Sequence, residues 1–407
     1  MNTYRLTDQL FLWLLTKPAQ PMLIGELNLV RTLRGVSVRY TDDWIARGFA
    51  LSEDLPLVGE EFFPADKDTA AGAIDDARPD RWGERVIKFL DKPPRLSLLE
   101  YLYFAGDDRF GALGVSTSRD VYAPRKLGPL PALDDTATMQ DLVRRILSNE
   151  RIEPNLRRLI SPGVTMGGVR PKALIEIDDE QWVVKFSAGD PVDTPLIEHA
   201  AMTLAIEAGI NSATTRPIRL VDGHAVAIRR FDRVQKRRLH AISANVALKA
   251  AGEALGYPEL AQLLRRRGVV ERGVSIAQMR ELFRRMVFNI LIDNTDDHEK
   301  NHALLVTDAQ QYHLAPAFDV LPSGQALGHQ QMRVGTAAAD STLENAMSMC
   351  PLFSLKAPEA RGEVRKVIKV VKRWKQHFSK QGVSKGDLDA LAEQIDRPFL
   401  RQQREEF

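Results

Sequence analysis

A polar octapeptide that follows a strongly apolar stretch constrains the fold of this chain more than any other sequence feature. Residues 294–301 read NTDDHEKN and follow an apolar, helix-like run over residues 281–292. Two strand-like runs separated by a turn come next, over residues 303–314, and Asp319 follows them. The pattern predicts a helix, a polar loop, a hairpin and an aspartate, in that order.

This order matches the catalytic segment of protein kinases, in which an aspartate precedes an asparagine by five residues and a metal-binding aspartate follows a short hairpin. Asp296 and Asn301 have that spacing, and Asp319 stands in the place of the second aspartate. Asp296 would orient the substrate hydroxyl, while Asn301 and Asp319 would hold Mg2+ against the phosphates. Lys300 could add positive charge beside the transferred phosphoryl group. We therefore predict Asp296 and Lys300 as catalytic residues, and Asn301 and Asp319 as metal ligands.

A kinase also needs a glycine-bearing loop and a lysine upstream of this segment, and both are present. The loop is residues 161–172 (SPGVTMGGVRPK), with Gly167 and Gly168 near its centre. Lys185, in a strand-like run, is the candidate phosphate-binding lysine, and Glu198, in the helix that follows, is its candidate partner. The loop, the lysine, the glutamate, the catalytic loop and the metal aspartate stand in kinase order, which carries more weight than any one motif.

Each of these elements has a purely structural explanation when it is taken alone. The glycine pair could be a simple turn, and Lys185 could be an exposed strand residue. Glu198 could favour the first turn of a helix through the helix dipole, and the two aspartates of the loop could end a helix in water. All of these separate causes would have to coincide to produce the ordered set, which favours the kinase interpretation.

A competing motif, the zinc-hydrolase pattern H-E-x-x-H, overlaps the same loop at residues 298–302. In that chemistry two histidines one helical turn apart bind zinc, so the motif requires a continuous helix. Residues 293–297 are rich in helix-ending residue types, and the sequence after His302 is strand-like. No clear third ligand follows at a characteristic spacing. We therefore interpret the match as accidental.

Composition restricts the class of protein further. The 407 residues include 56 Lys and Arg against 54 Asp and Glu, so the formal net charge of +2 gives no overall attraction to nucleic acid or to an anionic membrane. The one cysteine, Cys350, permits no intramolecular disulfide and fits a reducing compartment. The apolar run at residues 10–15 has neither a basic leader nor a cleavage site, and no stretch reaches the ~20 apolar residues of a membrane helix. We expect a cytoplasmic protein with no membrane partner.

The chain is too long for one compact core, and we predict three parts. Residues 1–122 form a small N-terminal part of strands and helices. A stretch rich in proline, glycine and aspartate, residues 123–135, marks its end. A strand-rich part follows at residues 136–233, and a helical part at residues 234–407 contains the catalytic loop and the metal aspartate.

Two local signals lie inside the strand-rich part. Two strand-like runs, 172–177 and 181–186, are separated by an aspartate pair and predict a hairpin. Thr194 followed by Pro195 predicts the start of a helix that stops at Gly209.

The motifs resemble those of the HipA-type serine/threonine kinases of bacterial toxin–antitoxin systems, across nearly the whole chain. The polar octapeptide resembles the signature of that family, residues 230–233 (RFDR) resemble its adenine-binding hinge, and residues 167–173 resemble its phosphate loop. In the N-terminal part, residues 79–83 (PDRWG) and 106–113 (GDDRFGAL) are similar to further family signatures.

The resemblance implies an α+β, bilobal protein-kinase-like fold with a β-rich N-lobe, an all-α C-lobe and an extra small N-terminal α/β subdomain. It implies ATP and Mg2+ as cofactors and transfer of the γ-phosphate of ATP to a serine or threonine of a protein, such as a translation factor or an aminoacyl-tRNA synthetase. Growth arrest would follow. It also implies a HipB-like helix-turn-helix antitoxin as partner, through which the complex would reach DNA indirectly.

The resemblance also assigns individual residues. The nucleotide-binding positions are Gly167, Gly168, Val169, Arg170, Lys172, Lys185, Arg230, Phe231, His298, Asn301 and Asp319. Family members autophosphorylate in the loop before the glycine pair, and the matching position is Thr165, with Ser161 as the second candidate. A phosphate there, with a charge of about −2, would repel ATP and could bind local cations.

Two other functions fit the same residues. A catalytically silent regulator with a kinase fold could act only by binding a repressor and DNA, although such a module would not need the complete set of catalytic and metal-binding side chains. The same machinery could also transfer phosphate to a small molecule.

Overall fold

The computed structural model describes residues 4–163 and 168–407, which form two compact units. Unit 1 comprises Met1–Ala188 and Arg230–Ile242, and unit 2 comprises Gly189–Arg229 and Ser243–Phe407. Unit 1 runs through the stretch that we interpreted as a boundary, and the three-part division of the chain stays a prediction.

Most strands lie before residue 244 and most helices lie after it. The strands are β1 (Gln9–Leu14), β2 (Met22–Val30), β3 (Gly35–Tyr40), β4 (Glu61–Phe62), β5 (Leu113–Ser116), β6 (Lys172–Ile177), β7 (Glu180–Lys185), β8 (Thr215–Arg219), β9 (His224–Arg229), β10 (Arg233–Val234), β11 (Arg237–Arg238), β12 (Ala241–Ser243), β13 (Ala303–Val306) and β14 (Tyr312–Leu314). The α-helices are α1 (Asp42–Arg47), α2 (Arg81–Val86), α3 (Leu98–Phe104), α4 (Thr136–Leu147), α5 (Thr194–Glu207), α6 (Ala244–Ala250), α7 (Tyr257–Arg267), α8 (Val274–Leu291), α9 (Leu343–Ser348), α10 (Ala357–Val371), α11 (Trp374–Lys380), α12 (Lys385–Ile395) and α13 (Pro398–Glu406). Within the described residues, no helix has both the length and the apolar character that crossing a membrane requires.

Unit 1 begins with an antiparallel sheet in the strand order β4-β3-β2-β1-β5. In β1, Leu10, Leu12 and Leu14 are buried, as the alternation of side chains along a strand predicts. Helix α3 contacts β1, β2, β3 and β5 and so covers one face of the sheet. A capping box formed by Ser97 and Glu100 fixes the start of α3.

A buried ionic cluster joins two segments of unit 1 that lie far apart in the sequence. The Asp232 carboxylate has no exposed surface and accepts hydrogen bonds from Arg230 at 2.7 Å and Arg233 at 2.8 Å. It also accepts from the backbone N–H of Gly111 at 2.8 Å, while Arg230 donates to the carbonyl oxygen of Arg109 at 2.9 Å. Burial alone would raise the pKa of Asp232, but the two guanidinium groups lower it to about 2. The RFDR and GDDRFGAL motifs therefore form one structural cluster.

The substitution Asp232→Ala should lower the free energy of unfolding by about 3–5 kcal/mol, because it leaves buried guanidinium groups without their carboxylate. Denaturant titration at pH 7 measures this, and the exposed Asp120→Ala in the same unit is the control, expected to change stability by less than about 0.5 kcal/mol. The folded pKa of Asp232 is depressed, so its contribution is present above the unfolded value of about 3.9 and is lost as the pH falls through about 2. Equal stability of the two variants at pH 7 would contradict this account.

Strands β6 and β7 of unit 1 confirm the predicted hairpin. Asp178 and Asp179 connect them with φ angles of +52° and +61°, the left-handed pair that a type I′ turn requires. The second strand begins at Glu180, one residue earlier than the sequence predicts. The register places Lys172 directly opposite Lys185.

Helix α8 is the centre of unit 2. Helices α7, α9 and α10 contact it, and its apolar residues, Met279, Leu282, Phe283 and Met286 among them, are buried. Helix α5 has Asp193 as its N-cap, because the Asp193 carboxylate accepts a hydrogen bond from the backbone N–H of Leu196. The predicted N-cap, Thr194, therefore lies one residue after the observed N-cap.

The hairpin β13–β14 also confirms a prediction, with Val306 paired to Tyr312 at the end nearest the turn. It lies between the polar octapeptide and Asp319. Residues 315–342, all of them described by the structure, contain neither helix nor strand. Isolated β-bridges, such as those of Ala317 with Ser212 and of Arg333 with Gly256, hold this segment to other parts of unit 2.

Candidate functional site

The polar octapeptide lies at the end of α8. The helix ends at Leu291, and Asp293 adopts a φ of +58°, a left-handed conformation that changes the direction of the chain. The loop then runs without regular structure to a 3-10 turn at Glu299–Asn301, which leads into β13. The order of helix, polar loop and hairpin is the predicted one.

The two neighbouring aspartates of this loop have opposite environments. Asp296 is exposed, whereas Asp297 is only 2 % exposed. Asp297 accepts hydrogen bonds from the Tyr257 hydroxyl and from His302 Nε2, the latter at 2.8 Å. Burial would raise the pKa of Asp297, but its attraction to His302 and the two hydrogen bonds hold that pKa below its ordinary value. Asp297 therefore serves the fold of the loop, and Asp296 is the carboxylate that a substrate could reach.

The buried network extends from Asp297 into α8. Asn289 donates from Nδ2 to the Tyr257 hydroxyl at 3.4 Å, and its Oδ1 accepts from Asn294 Nδ2 at 3.1 Å. Asn294 is the first residue of the octapeptide and is 1 % exposed. The loop is thus fixed to the helices at both Asn294 and Asp297, which leaves Asp296 between two anchored positions.

Asn301 provides an oxygen atom that is available to a cation. The residue is 5 % exposed, and its Oδ1 is buried and accepts no hydrogen bond from any described residue. Asp319 is partly buried and has a φ of +58°, which is unfavourable for a residue with a Cβ. Its neighbours Phe318 and Val320 line the same small cavity as Asn301. An amide oxygen and a carboxylate are ligands that Mg2+ prefers, so these two residues fit a magnesium site.

The two histidines of the octapeptide region do not lie on a helix. His298 has φ −123° and ψ 170°, and His302 has φ −115° and ψ 130°, which is extended backbone in both cases. The zinc-hydrolase motif needs a continuous helix across residues 298–302, and this geometry differs from it. His298 and Lys300 are half-buried, and His298 Nδ1 has no hydrogen-bond partner among the described residues.

In unit 1, the PDRWG motif contacts the predicted phosphate loop. The ammonium group of Lys172 lies 2.7 Å from the Asp80 carboxylate, and the two side chains are 1 % and 7 % exposed. Trp82 Nε1 donates to the carbonyl oxygen of Lys172 at 2.8 Å. A Cβ on Gly83 would lie 2.3 Å from the carbonyl oxygen of Pro162, so only glycine fits there. The motif thus contacts both ends of the loop.

The sequence alone indicates no role for Asp80, although the PDRWG motif contains it. Lys172 and Lys185 stand opposite each other in the β6–β7 register, and like charges in that position repel. The Asp80 carboxylate compensates the charge of Lys172. Lys185, the last residue of β7, is 5 % exposed.

The remaining loop positions differ in exposure. Gly168 has a φ of +93° and is half-buried, as is Arg170, whereas Val169 is 62 % exposed. Thr165 and Gly167 lie outside the described residues.

The predicted hinge residues, Arg230 and Phe231, contact other residues of unit 1. Arg230 is 4 % exposed, and its guanidinium bonds Asp232 and the carbonyl oxygens of Asp108 and Arg109. The ring centroid of Phe231 lies 6.0 Å from that of Phe110, in an edge-to-face arrangement. Contact of Arg230 and Phe231 with adenine stays a prediction.

The structure arranges the predicted residues in two groups. In unit 2, Asp296, His298, Lys300, Asn301 and Asp319 belong to the octapeptide and to the segment after the hairpin. In unit 1, Gly168, Val169, Arg170, Lys172, Lys185, Arg230 and Phe231 belong to the β6–β7 hairpin, its preceding loop and the RFDR segment.

Comparison with protein families identifies the chain. Residues 164–375, more than half of its length, match the family model of the HipA-like C-terminal domain. The chain belongs to this HipA-like family. The match contains the β6–β7 hairpin, the octapeptide and Asp319, which are the elements that carry the predicted site.

A solved structure shares the fold of this HipA-like chain. A chain of the Shewanella oneidensis MR-1 toxin–antitoxin complex of HipA, HipB and its operator DNA superposes with a TM-score of 0.68 and 18% identity, over 98% of this chain and 97% of that one. This likeness confirms the predicted α+β, protein-kinase-like fold of the HipA type.

Two further similarities are weaker. The Sinorhizobium fredii (strain NBRC 101917 / NGR234) protein named "Putative kinase Y4dM" is 28% identical over 157 residues, 34% of this HipA-like chain. The chain spans only 37% of the length of that relative. The Helicobacter pylori proinflammatory kinase CtkA gives a TM-score of 0.36 and 13% identity over 57% of this chain and 94% of that one, which is too low to bear on the fold.

We expect Tyr257→Phe to lower the free energy of unfolding by about 1–3 kcal/mol, because the buried Asp297 loses one of its donors. Tyr103→Phe is the control, since Tyr103 is also buried but its hydroxyl bonds no other described residue. Equilibrium unfolding in urea at pH 7 compares the two variants.

The effect of Tyr257→Phe should also depend on pH. The folded pKa of Asp297 is depressed, so the stabilisation is present above its unfolded pKa and is lost as the pH falls through its folded pKa. The difference between wild type and Tyr257→Phe should therefore shrink in acid. A loss for Tyr257→Phe no larger than for Tyr103→Phe, at every pH, would contradict the role of Asp297.

Proposed function

We propose that this chain is a Mg2+-dependent serine/threonine protein kinase that uses ATP, in the manner of the HipA-type toxins. The observation that carries the proposal is the octapeptide. It exposes Asp296 while it buries the amide oxygen of Asn301, which accepts no hydrogen bond from any described residue. Membership of the HipA-like family and the kinase-like fold support the same proposal.

In the proposed reaction, the hydroxyl oxygen of the substrate attacks the γ-phosphorus of ATP, and the bond to the β–γ bridging oxygen breaks to release ADP. Asp296 would orient the hydroxyl and accept its proton. Asn301 and Asp319 would hold Mg2+, which supplies charge neutralisation to the phosphates when it is bound. The ammonium group of Lys300 would stabilise charge on the transferred group.

We propose the nucleotide contacts that the HipA-type kinases imply for this chain. Lys185 would bind the phosphates with Glu198 as its partner, in the manner of kinases. The other proposed contacts are Gly167, Gly168, Val169, Arg170, Lys172, Arg230, Phe231 and His298. For Lys172 and Arg230 the buried bonds described above mean that a contact through the backbone is more consistent with their surroundings than one through the side chain.

We also propose a HipB-like helix-turn-helix antitoxin as the partner. The solved chain with the same fold belongs to a complex with HipB and operator DNA, which supports an indirect route to DNA through the antitoxin. The proposed target is a protein of translation, such as an aminoacyl-tRNA synthetase, in the cytoplasm, and its phosphorylation would arrest growth.

The change Asp296→Asn should reduce transfer of the γ-phosphate from labelled ATP by at least about 100-fold, because the substrate hydroxyl loses its proton acceptor. Incorporation into the chain itself and into the proteins of a cell extract measures the transfer. Glu299→Gln is the matched control: it alters a nearby acid of the same loop to which the reaction assigns no role, and its activity should equal that of wild type.

Each alternative gives a different result in this assay. A silent regulator would transfer no phosphate even as wild type, and a small-molecule kinase would release ADP without labelling any protein. A zinc hydrolase would transfer no phosphate either, and its own hydrolytic activity would be lost in Glu299→Gln. Undiminished transfer by Asp296→Asn would contradict the proposed kinase site.

We predict autophosphorylation at Thr165. Mass-spectrometric mapping after incubation with ATP should find the phosphate there, and Thr165→Val should remove it. Ser161 is the second candidate, but it is 6 % exposed and its hydroxyl accepts a hydrogen bond from the backbone N–H of Gly163 at 3.4 Å, so its modification requires the loop to open. An unmodified peptide in an otherwise active protein would contradict this prediction.

A further inference from the structure

Asp293, the residue before the polar octapeptide, is bound to a residue about one hundred positions later in the chain. The Asp293 carboxylate has no exposed surface, and its Oδ1 accepts a hydrogen bond from Arg397 Nη2 at 2.7 Å. The Arg397 side chain is 16 % exposed and lies at the N-cap position of α13. Removing one partner of such a buried pair leaves the other charge uncompensated.

The same guanidinium also holds the segment that follows Asp319. Arg397 Nη1 donates to the carbonyl oxygen of Ala326 at 3.0 Å. We name the contacts of Arg397 with Asp293 and Ala326 the Arg397 bridge. It joins Asp293, which directly precedes the polar octapeptide, to the segment that begins at Asp319, the proposed metal ligand.

Both partners of Arg397 have unfavourable backbone conformations. Asp293 has a φ of +58° and Ala326 a φ of +49°, values that residues with a Cβ rarely adopt. Such conformations persist where the surrounding contacts hold them, and they cluster at functional sites. The Arg397 bridge is one such contact, and it acts on both residues at once.

Ser323 joins the same two segments a second time. Its hydroxyl and its backbone N–H both donate to the carbonyl oxygen of Asp293, at 3.0 and 3.1 Å. Its hydroxyl also lies 2.7 Å from Thr295 Oγ1, and Thr295 directly precedes Asp296. The segment after Asp319 and the loop that bears Asp296 are therefore bonded to each other through Ser323 as well as through the Arg397 bridge.

We infer that Arg397 is a positioning residue for the proposed phosphotransfer. Within residues 4–163 and 168–407, it bonds none of the side chains assigned to nucleotide, metal or substrate. It acts by fixing Asp293 and Ala326, and through them the relative placement of Asp296 and Asp319. The inference rests on the proposed function for its kinetic consequence, whereas its structural part stands on the bridge alone.

The test compares Arg397→Met with Arg401→Met, because Arg401 lies on the same helix α13 and is exposed. Arg397→Met should lower kcat by a factor on the order of 10 to 100, since a small misplacement of reacting groups costs that much. KM for ATP should stay within about twofold, because no ground-state contact is lost. Arg401→Met should match wild type in both constants.

Two further variants separate positioning from general loss of structure. Arg397→Lys keeps the charge but cannot bond both partners in the same way, so its kcat should be intermediate. Asp293→Asn and Arg397→Met should be non-additive when combined, because each removes one charge of the same ion pair. Additive effects, or a kcat of Arg397→Met equal to that of Arg401→Met, would overturn the inference.

Amide hydrogen exchange gives a readout that does not depend on catalysis. Residues 293–298 and 322–328 should exchange faster in Arg397→Met than in Arg401→Met, while the helix α8 should not change. Unchanged exchange in both segments would overturn the inference. If the wild type transfers no phosphate, the proposed function fails, and the exchange rates still decide whether the bridge holds the two segments.

Discussion

The candidate site depends on one buried carboxylate. Asp297 is buried in unit 2, where it accepts hydrogen bonds from the Tyr257 hydroxyl and the His302 ring. These bonds fix the polar octapeptide to the rest of the unit. Asp297 is buried, whereas its neighbour Asp296, which lies in a turn, is exposed. The same anchoring holds Asn301, one residue before His302, with its amide oxygen in a buried position. Asp297 thus stabilises the loop, while its exposed neighbour Asp296 is the carboxylate proposed to face the substrate.

The sequence motifs of unit 1 are explained by the same physical rule. The PDRWG motif supplies Asp80 to Lys172, and the GDDRFGAL motif supplies backbone atoms to Arg230 and Asp232. In each case a buried charge has a partner from a distant part of the sequence. Buried charges tolerate the loss of a partner poorly, so these pairs specify which segments meet. The motifs are therefore positions where the chain has little freedom to vary its contacts.

Local elements could be predicted from the sequence where the signal was local. The aspartate pair between two strand-like runs predicted the β6–β7 hairpin, since both residues tolerate the left-handed conformation of its turn. The order of the octapeptide, the second hairpin and Asp319 predicted the candidate site. The capping residue of α5 was missed by one position, because Asp193 and Thr194 are both good caps and only the folded backbone chooses between them.

The contacts that hold the site could not be predicted in this way. Asp80 and Lys172 are 92 residues apart, and Asp293 and Arg397 are 104 apart. Hydrophobic periodicity and turn chemistry describe neighbours along the chain, and they contain no information about which distant charge will be the partner. The different burial of Asp296 and Asp297 could not be predicted for the same reason, because adjacent identical residues differ only in their surroundings.

The most direct test of the central claim is a crystal structure of the protein with Mg2+ and a non-hydrolysable ATP analogue. We expect Mg2+ at about 2.0–2.1 Å from Asn301 Oδ1 and from the Asp319 carboxylate, with Asp296 facing the γ-phosphate and the bonds of Asp297 to Tyr257 and His302 unchanged. A nucleotide bound away from the octapeptide, or an ion that neither Asn301 nor Asp319 contacts, would contradict it.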